Sequence, residues 1–158
     1  MSLISKRKVI FNLIFILLIG LSFRIYGLAK YDFWHDEIIM LAAAKDCTPS
    51  VILDYIIFPN RPFHQTFFYF LLKFWMLLGK SEFILRLLPL IFGFLSIITI
   101  FFVGKVLFDR KTGLIGAFFL AFSPFHIYYS QELVPYTLFC FLSLVSIYFS
   151  IKALKEDK

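Results

Sequence analysis

Residues 30–40 read KYDFWHDEIIM and gather Asp32, His35, Asp36 and Glu37 into one short stretch. Two adjacent carboxylates beside an imidazole are what general acid–base work needs, and the same groups can ligate a cation. On a helix, neighbouring side chains project about 100° apart, so Asp36 and Glu37 do not face one small site equally. One is expected to act as a general base near a low-dielectric boundary that strengthens its hold on a proton. The other is expected to steady its neighbour or to contact a metal. A pair of solvated loop acids is the plain alternative. A metal set of His35, Asp36, Glu37 and His64 lacks a spacing of the His-Glu-x-x-His kind, and a divalent metal is the one cofactor these residues leave open.

Further along stand Arg61, His64, Arg86, His126, Gln131, Glu132 and Tyr136. The planar fork of arginine suits phosphate oxygens, so Arg61 and Arg86 are candidates for a lipid-borne phosphate, and snorkelling anchors are the competing reading. His64 reads equally as an interfacial amphipathic residue, His126 as a polar tip at a helix end, Ser130-Gln131-Glu132 as an ordinary turn and Tyr136 as an interfacial aromatic.

The elements that must position these groups are set by composition. The chain has 158 residues, is 61% hydrophobic and 21% aromatic, and carries 23 phenylalanines. No soluble domain of this length hides so much apolar surface, so the sequence predicts an all-α membrane protein. The net charge of +6 does not point to nucleic acid, because the cations sit at the ends of apolar segments. Four spans are expected, at about 9–26, 87–104, 113–129 and 134–151, with Arg24 snorkelling from the first and Ser123-Pro124 interrupting the third. The first span reads as an uncleaved signal anchor. TFFYFLLKFWMLLG (66–79) is short and has Lys73 at its centre, which predicts an interfacial or re-entrant helix.

With the N-terminus in the cytoplasm, the clusters at Lys6-Arg7-Lys8, Lys105 to Lys111 and Lys152 to Lys158 all fall on one side, as the positive-inside rule asks. A multi-pass cell-membrane protein follows, with outer loop 27–82 holding interfacial helices. Asp32 is expected to cap one through FWHDEIIMLAAAK, and Thr48-Pro49 to open another through SVILDYIIF. Cys47 in a polar loop and Cys140 in an apolar segment predict no disulfide.

In this order the motifs resemble the N-terminal part of family 39-type membrane glycosyltransferases, which include protein O-mannosyltransferases and the aminoarabinose transferase of lipid A. Trp34-His35-Asp36-Glu37 is similar to the family's Trp-x-Asp-Glu, and HQTFFYFLLKFWMLLG to its His-Pro-Pro-Leu-Tyr-Tyr run. SEFILRLLPLIFGFLSI and LAFSPFHIYYSQELVPYTL match its Ser-Glu-x-x-x-Arg-Leu-Pro and Ser-Pro…Ser-Gln-Glu stretches. The resemblance implies transfer of a sugar from a polyprenyl-phosphate donor to an acceptor hydroxyl on a protein, lipid or glycan, at the non-cytoplasmic face. It implies Asp36 as the base with Glu37 in support, His64, Arg61 and Arg86 on the donor phosphate, and Glu132 and Tyr136 shaping the site. His64-Gln65-Thr66 lacks both family prolines, and Val134 stands where relatives commonly carry Arg. The sequence stops after the fourth expected span, which predicts a single membrane domain that forms the N-terminal portion of a larger enzyme fold, as a truncated frame, a fragment or half of a split enzyme whose partner is a C-terminal half, and that is not expected to turn over alone. A non-catalytic lipid-binding or assembly module is the alternative, and a transporter a distant third.

Overall fold

A computed structural model describes residues 6–48 and 66–156. Every regular element among them is a helix: α1 Lys6–Ile25, α2 His35–Asp46, α3 Thr66–Trp75, α4 Glu82–Leu107, α5 Arg110–Phe122, α6 Pro124–Ser130 and α7 Tyr136–Glu156. α1, α4 and α7 are long and apolar enough to cross a membrane, and α5 with α6 makes a fourth span if the pair, bent by 63°, counts as one. The protein is an all-α membrane protein. The expected helix through SVILDYIIF lies outside the described residues.

The bend has a covalent cause. Pro124 has no N–H to return to the Leu120 carbonyl, and Ser123 is extended (φ −65°, ψ 116°), which stops α5 and starts α6. Ser123 Oγ then caps α6 by accepting from the His126 N–H. At the other end of the bundle α4 turns into α5 through Phe108-Asp109. There Asp109 caps α5 by accepting from the Thr112 N–H at 2.8 Å. Gly113 lets the two helices touch, since a Cβ there would sit 2.4 Å from the Phe101 carbonyl oxygen.

Two cores result. Val9 and Ile16 of α1 pack with Ile97 and Phe101 of α4 and with Ala117 and Ala121 of α5. Met40 and Ala44 of α2, Phe68 and Leu72 of α3, Leu85 and Leu88 of α4, and Leu133 and Leu138 form the second. This second core seats the two short helices beside the start of α4, and the Trp75 indole N–H donates to the Ile84 carbonyl at 2.7 Å. At ten residues α3 rises only about 15 Å, too little to span. Lys73, in the last turn of α3, donates to the Lys45 and Cys47 carbonyls and so caps the C-terminus of α2.

The basic clusters collect at one end. Lys6, Lys105 and Arg110 line a single cleft, and Lys155 donates to the Val106 carbonyl. Three local expectations are corrected. Trp34 rather than Asp32 precedes the first turn of α2, and its N–H donates to Glu37 Oε2 at 3.0 Å. Cys47 lies in the expected loop, directly after α2, but is buried rather than exposed there, and both cysteines are free. Arg24 does not snorkel; its side chain is fully buried.

Candidate functional site

At the end of the bundle opposite the basic clusters, the first turn of α2 meets the first turns of α4 and the loop between α6 and α7. Glu37 is 1% exposed and Arg86 4%, and they form a two-bond fork. Arg86 Nε donates to Oε1 at 2.9 Å and Nη2 to Oε2 at 2.7 Å. The remaining guanidinium hydrogens go to main chain. Nη1 donates to the carbonyls of Leu28 at 3.1 Å and Tyr31 at 2.7 Å, and Nη2 to that of Asp32 at 3.2 Å. Five donors thus meet five acceptors, and the Phe33 ring packs 5.2 Å from the guanidinium carbon.

Glu37 is equally occupied. Besides Arg86 it accepts from the Leu133 N–H at 2.7 Å and the Trp34 N–H at 3.0 Å. Burial pushes its carboxyl up. The Arg86 hydrogen bonds, the two main-chain N–H groups and the Arg86 charge outweigh that, and the group lies below the usual carboxylate range. An ionised carboxylate with four donors on it has no lone pair left for a substrate proton. The ion pair fastens three segments distant in sequence: the 28–37 turn, α4 and Leu133.

Asp36, one residue earlier, is exposed beside this framework, as is His35. Their position follows from the ~100° step of the helix, which turns Glu37 inward and Asp36 outward. Glu132 is half-buried, directly before Leu133. Burial raises its carboxyl above the usual range against a Tyr128 hydroxyl bond that lowers it, and the Glu37 and Asp36 charges add to the rise. Asp36 and Glu132 therefore share one end of the bundle. Glu132 lies in a cleft of ≈ 330 Å³ with Lys30, Trp34 and Tyr128.

The expected phosphate contact by Arg86 is not what its geometry offers, because no N–H remains free of a protein partner. Tyr136 is exposed and stacks edge-to-face on Tyr129 at 4.7 Å, around a separate cleft of ≈ 210 Å³ shared with His126 and Cys140. Arg61 and His64 lie outside the described residues. Among the described residues no three His, Cys, Asp or Glu side chains gather into a metal site.

Two organising residues were not anticipated. Gln131 donates its amide to the carbonyls of Phe23 at 3.0 Å, Arg24 at 3.2 Å and Tyr26 at 2.7 Å, which caps the C-terminus of α1. Arg24 donates to the Gly20, Ala121 and Leu120 carbonyls and to His126 Nδ1 at 2.7 Å. The last two carbonyls are those released by the break at Pro124. Because guanidinium only donates, His126 accepts at Nδ1, and its ring carries its hydrogen on Nε2. A lone arginine inside an apolar span is a sequence signal for such a role.

A bundle of apolar helices with a buried guanidinium–carboxylate pair ordering an acidic end defines a polytopic membrane protein with a candidate site at that end of the bundle. Residues 60–158 match a family model described as dolichyl-phosphate-mannose-protein mannosyltransferase, and the chain belongs to that family of membrane glycosyltransferases. No curated protein and no solved structure matches the chain. Asp36 and Glu37 precede the matched segment, and Glu37 is tied to it through Arg86 and Leu133.

Proposed function

We propose that this end of the protein transfers a sugar from a polyprenyl-phosphate donor to an acceptor hydroxyl at the non-cytoplasmic face. Asp36 takes the acceptor proton as the acceptor oxygen bonds to the anomeric carbon. The bond from that carbon to the phosphate oxygen breaks, and its electron pair leaves on the polyprenyl phosphate. Glu37 and Arg86 are positioning residues that fix the first turn of α2. Arg61 and His64 are the proposed partners of the donor phosphate, where negative charge grows as the glycosidic bond breaks. Glu132 and Tyr136 shape the two clefts beside it.

The observation that carries this reading is the division of labour between adjacent carboxylates. Glu37 has every acceptor position filled, while Asp36 stands exposed next to it. The gathering of basic clusters at the far end supports the orientation. The test is incubation of membranes containing the chain, co-produced with the C-terminal portion of a family member, with radiolabelled polyprenyl-phospho-sugars and native membrane acceptors. Transfer of label is the expected result with that portion present. Donor binding without transfer under all acceptors and metals would favour a lipid-binding module instead.

A further inference from the structure

The cleft at the basic end of the bundle gathers charge from three helices. Lys6 of α1, Lys105 near the end of α4 and Arg110 at the start of α5 all line it, around a volume of ≈ 400 Å³. The positive-inside rule asks only that such cations lie on one side of the membrane. It does not ask three helices to bring them to one space. The tight α4–α5 turn does that. A Cβ on Gly104 would sit 2.8 Å from the Gly113 Cα, so the two helices meet with no side chain between them, and Lys105 and Arg110 reach the same cleft.

Other cations at this end have partners. Lys155 donates to the Val106 carbonyl, and Lys152 pairs with Glu156 at 3.5 Å. Among the described residues Lys6, Lys105 and Arg110 meet no carboxylate. Asp109 adjoins Arg110 in sequence but does not line the cleft; it accepts from the Thr112 N–H at 2.8 Å and the Thr112 hydroxyl at 2.9 Å. The Lys105 ammonium stands 5.6 Å from the Phe102 ring centroid, a contact that engages one side of the amine and leaves donors on the other. Three like charges around one small space repel one another, and an anion placed between them relieves the repulsion.

Beyond its charged rim the cleft is apolar. Val9 and Phe101, 3% and 5% exposed, form its floor, and Ile10 and Phe102 its open lips. From Lys6 to Leu13 the lining follows α1 for about 10 Å, so a rim at headgroup depth leads to a floor at acyl depth. A soluble anion would use the rim alone. We infer that this cleft binds an anionic phospholipid of the bilayer, its phosphodiester held by Lys6, Lys105 and Arg110 and an acyl chain lying along Val9, Leu13 and Phe101. Arg110 offers a planar fork to two phosphate oxygens, and the lysines act as point charges. Basic pockets between membrane helices suit such headgroups. The lipid ties α1 to the α4–α5 turn. Lys105 and Arg86 stand roughly 28 Å apart along α4, so this lipid is neither donor nor acceptor in the proposed transfer, and the site stands whether or not the chain transfers sugar.

The full chain carrying Phe102→Trp, in lipid nanodiscs, provides the test. Phe102 is 39% exposed, and an indole there keeps an aromatic face for Lys105. Its emission, taken as the difference from the unsubstituted protein, is quenched by a brominated acyl chain in the cleft. In phosphatidylcholine with rising fractions of brominated phosphatidylglycerol, a preference for the anionic lipid on the order of 100-fold is expected, from about fivefold for each cation. Lys6→Gln with Arg110→Gln should reduce it to about fivefold. Arg7→Gln with Lys8→Gln removes the same charge outside the cleft and should change it less than about twofold. Millimolar inorganic phosphate or glycerol 3-phosphate should leave the quenching unchanged. Melting temperature gives a second reading without the reporter. The unsubstituted protein should melt higher in phosphatidylglycerol than in phosphatidylcholine. Lys6→Gln with Arg110→Gln should lose that difference and melt no lower than the protein in phosphatidylcholine, where it relieves repulsion. No anionic preference, an equal loss from the two charge-matched pairs, displacement by inorganic phosphate, or an equal fall in Tm in both lipids would overturn the inference.

Discussion

Arg86 grips Glu37 through two parallel N–H···O bonds of 2.9 and 2.7 Å, and the same carboxylate accepts from the Leu133 N–H at 2.7 Å. One buried ion pair therefore sets the distance between the first turn of α2, the start of α4 and the loop that carries Glu132. Its value to the protein is geometric, since a buried pair contributes little net stability relative to apolar groups but is costly to break on one side.

Breaking one side is expected to be severe. Glu37→Gln leaves a buried guanidinium without its counter-charge and should lower stability by about 3–5 kcal/mol. Arg86→Lys should cost a comparable amount, because an ammonium cannot reproduce the fork or the three carbonyl contacts. Thermal melts of both variants and of the double variant complete a cycle, and a coupling energy of at least about 1 kcal/mol is expected. Strict additivity would contradict the pairing.

The pH dependence has a definite sign. Glu37 binds its proton more weakly in the folded protein than in the unfolded chain. Its stabilising contribution is then fully present above the unfolded value of about 4.3 and is lost as pH falls through the depressed folded value. The difference in Tm between the protein and Glu37→Gln should stay level from neutral pH to about 5 and close below about 4. Glu132 behaves oppositely, because its carboxyl is raised by burial. Glu132→Gln should match the protein at acidic pH and become the more stable of the two as pH rises through the raised value. A gap for Glu37→Gln that widens on acidification would contradict the assignment.

Arg24 and Pro124 are expected to be coupled. Arg24→Leu removes the donors that satisfy the Leu120 and Ala121 carbonyls and His126, at about 1–3 kcal/mol for each buried group left unpaired. Adding Pro124→Ala restores an N–H able to reach the Leu120 carbonyl and should recover part of the loss. No recovery in the melting temperature of the double variant would show that Arg24 does not serve the broken helix.

Topology can be read with single cysteines. Cys47 is buried, with its thiol pushed up by burial against the opposing Lys73 charge, so it should label slowly in the folded protein. In a background of Cys47→Ala and Cys140→Ala, Lys80→Cys before α4 and Lys111→Cys in α5 place one exposed thiol at each end. An impermeant maleimide applied to intact cells is expected to label position 80 alone. Labelling of position 111 alone would reverse the proposed orientation.

The long apolar helices were legible because their signal is additive over many residues, and the Ser123-Pro124 interruption was legible because a missing N–H is a local fact. Arg24 was not. Its partners Leu120 and Ala121 come nearly a hundred residues later, and nothing near position 24 announces them. The acidic pair was half legible. A helical step of ~100° separates Asp36 from Glu37 by sequence alone, but which one turns inward depends on where Arg86 arrives from α4. For the same reason Arg86 resembled a phosphate ligand: its capacity to fork was visible, and the carboxylate already in the fork was not. Asp32 resembled a helix cap until its carbonyl was found committed to Arg86, with Glu37 closing the first turn through the Trp34 N–H.

The central claim is that Glu37 orders the site and Asp36 performs the proton transfer. Side-by-side measurement of donor binding, sugar transfer and Tm in Asp36→Asn and Glu37→Gln tests it most directly. Asp36→Asn should keep its Tm and bind the donor within about threefold, while transfer falls by roughly 10²–10⁴-fold; Glu37→Gln should lose Tm first. Undiminished transfer by Asp36→Asn, or a fall in its Tm as large as that of Glu37→Gln, would contradict the account.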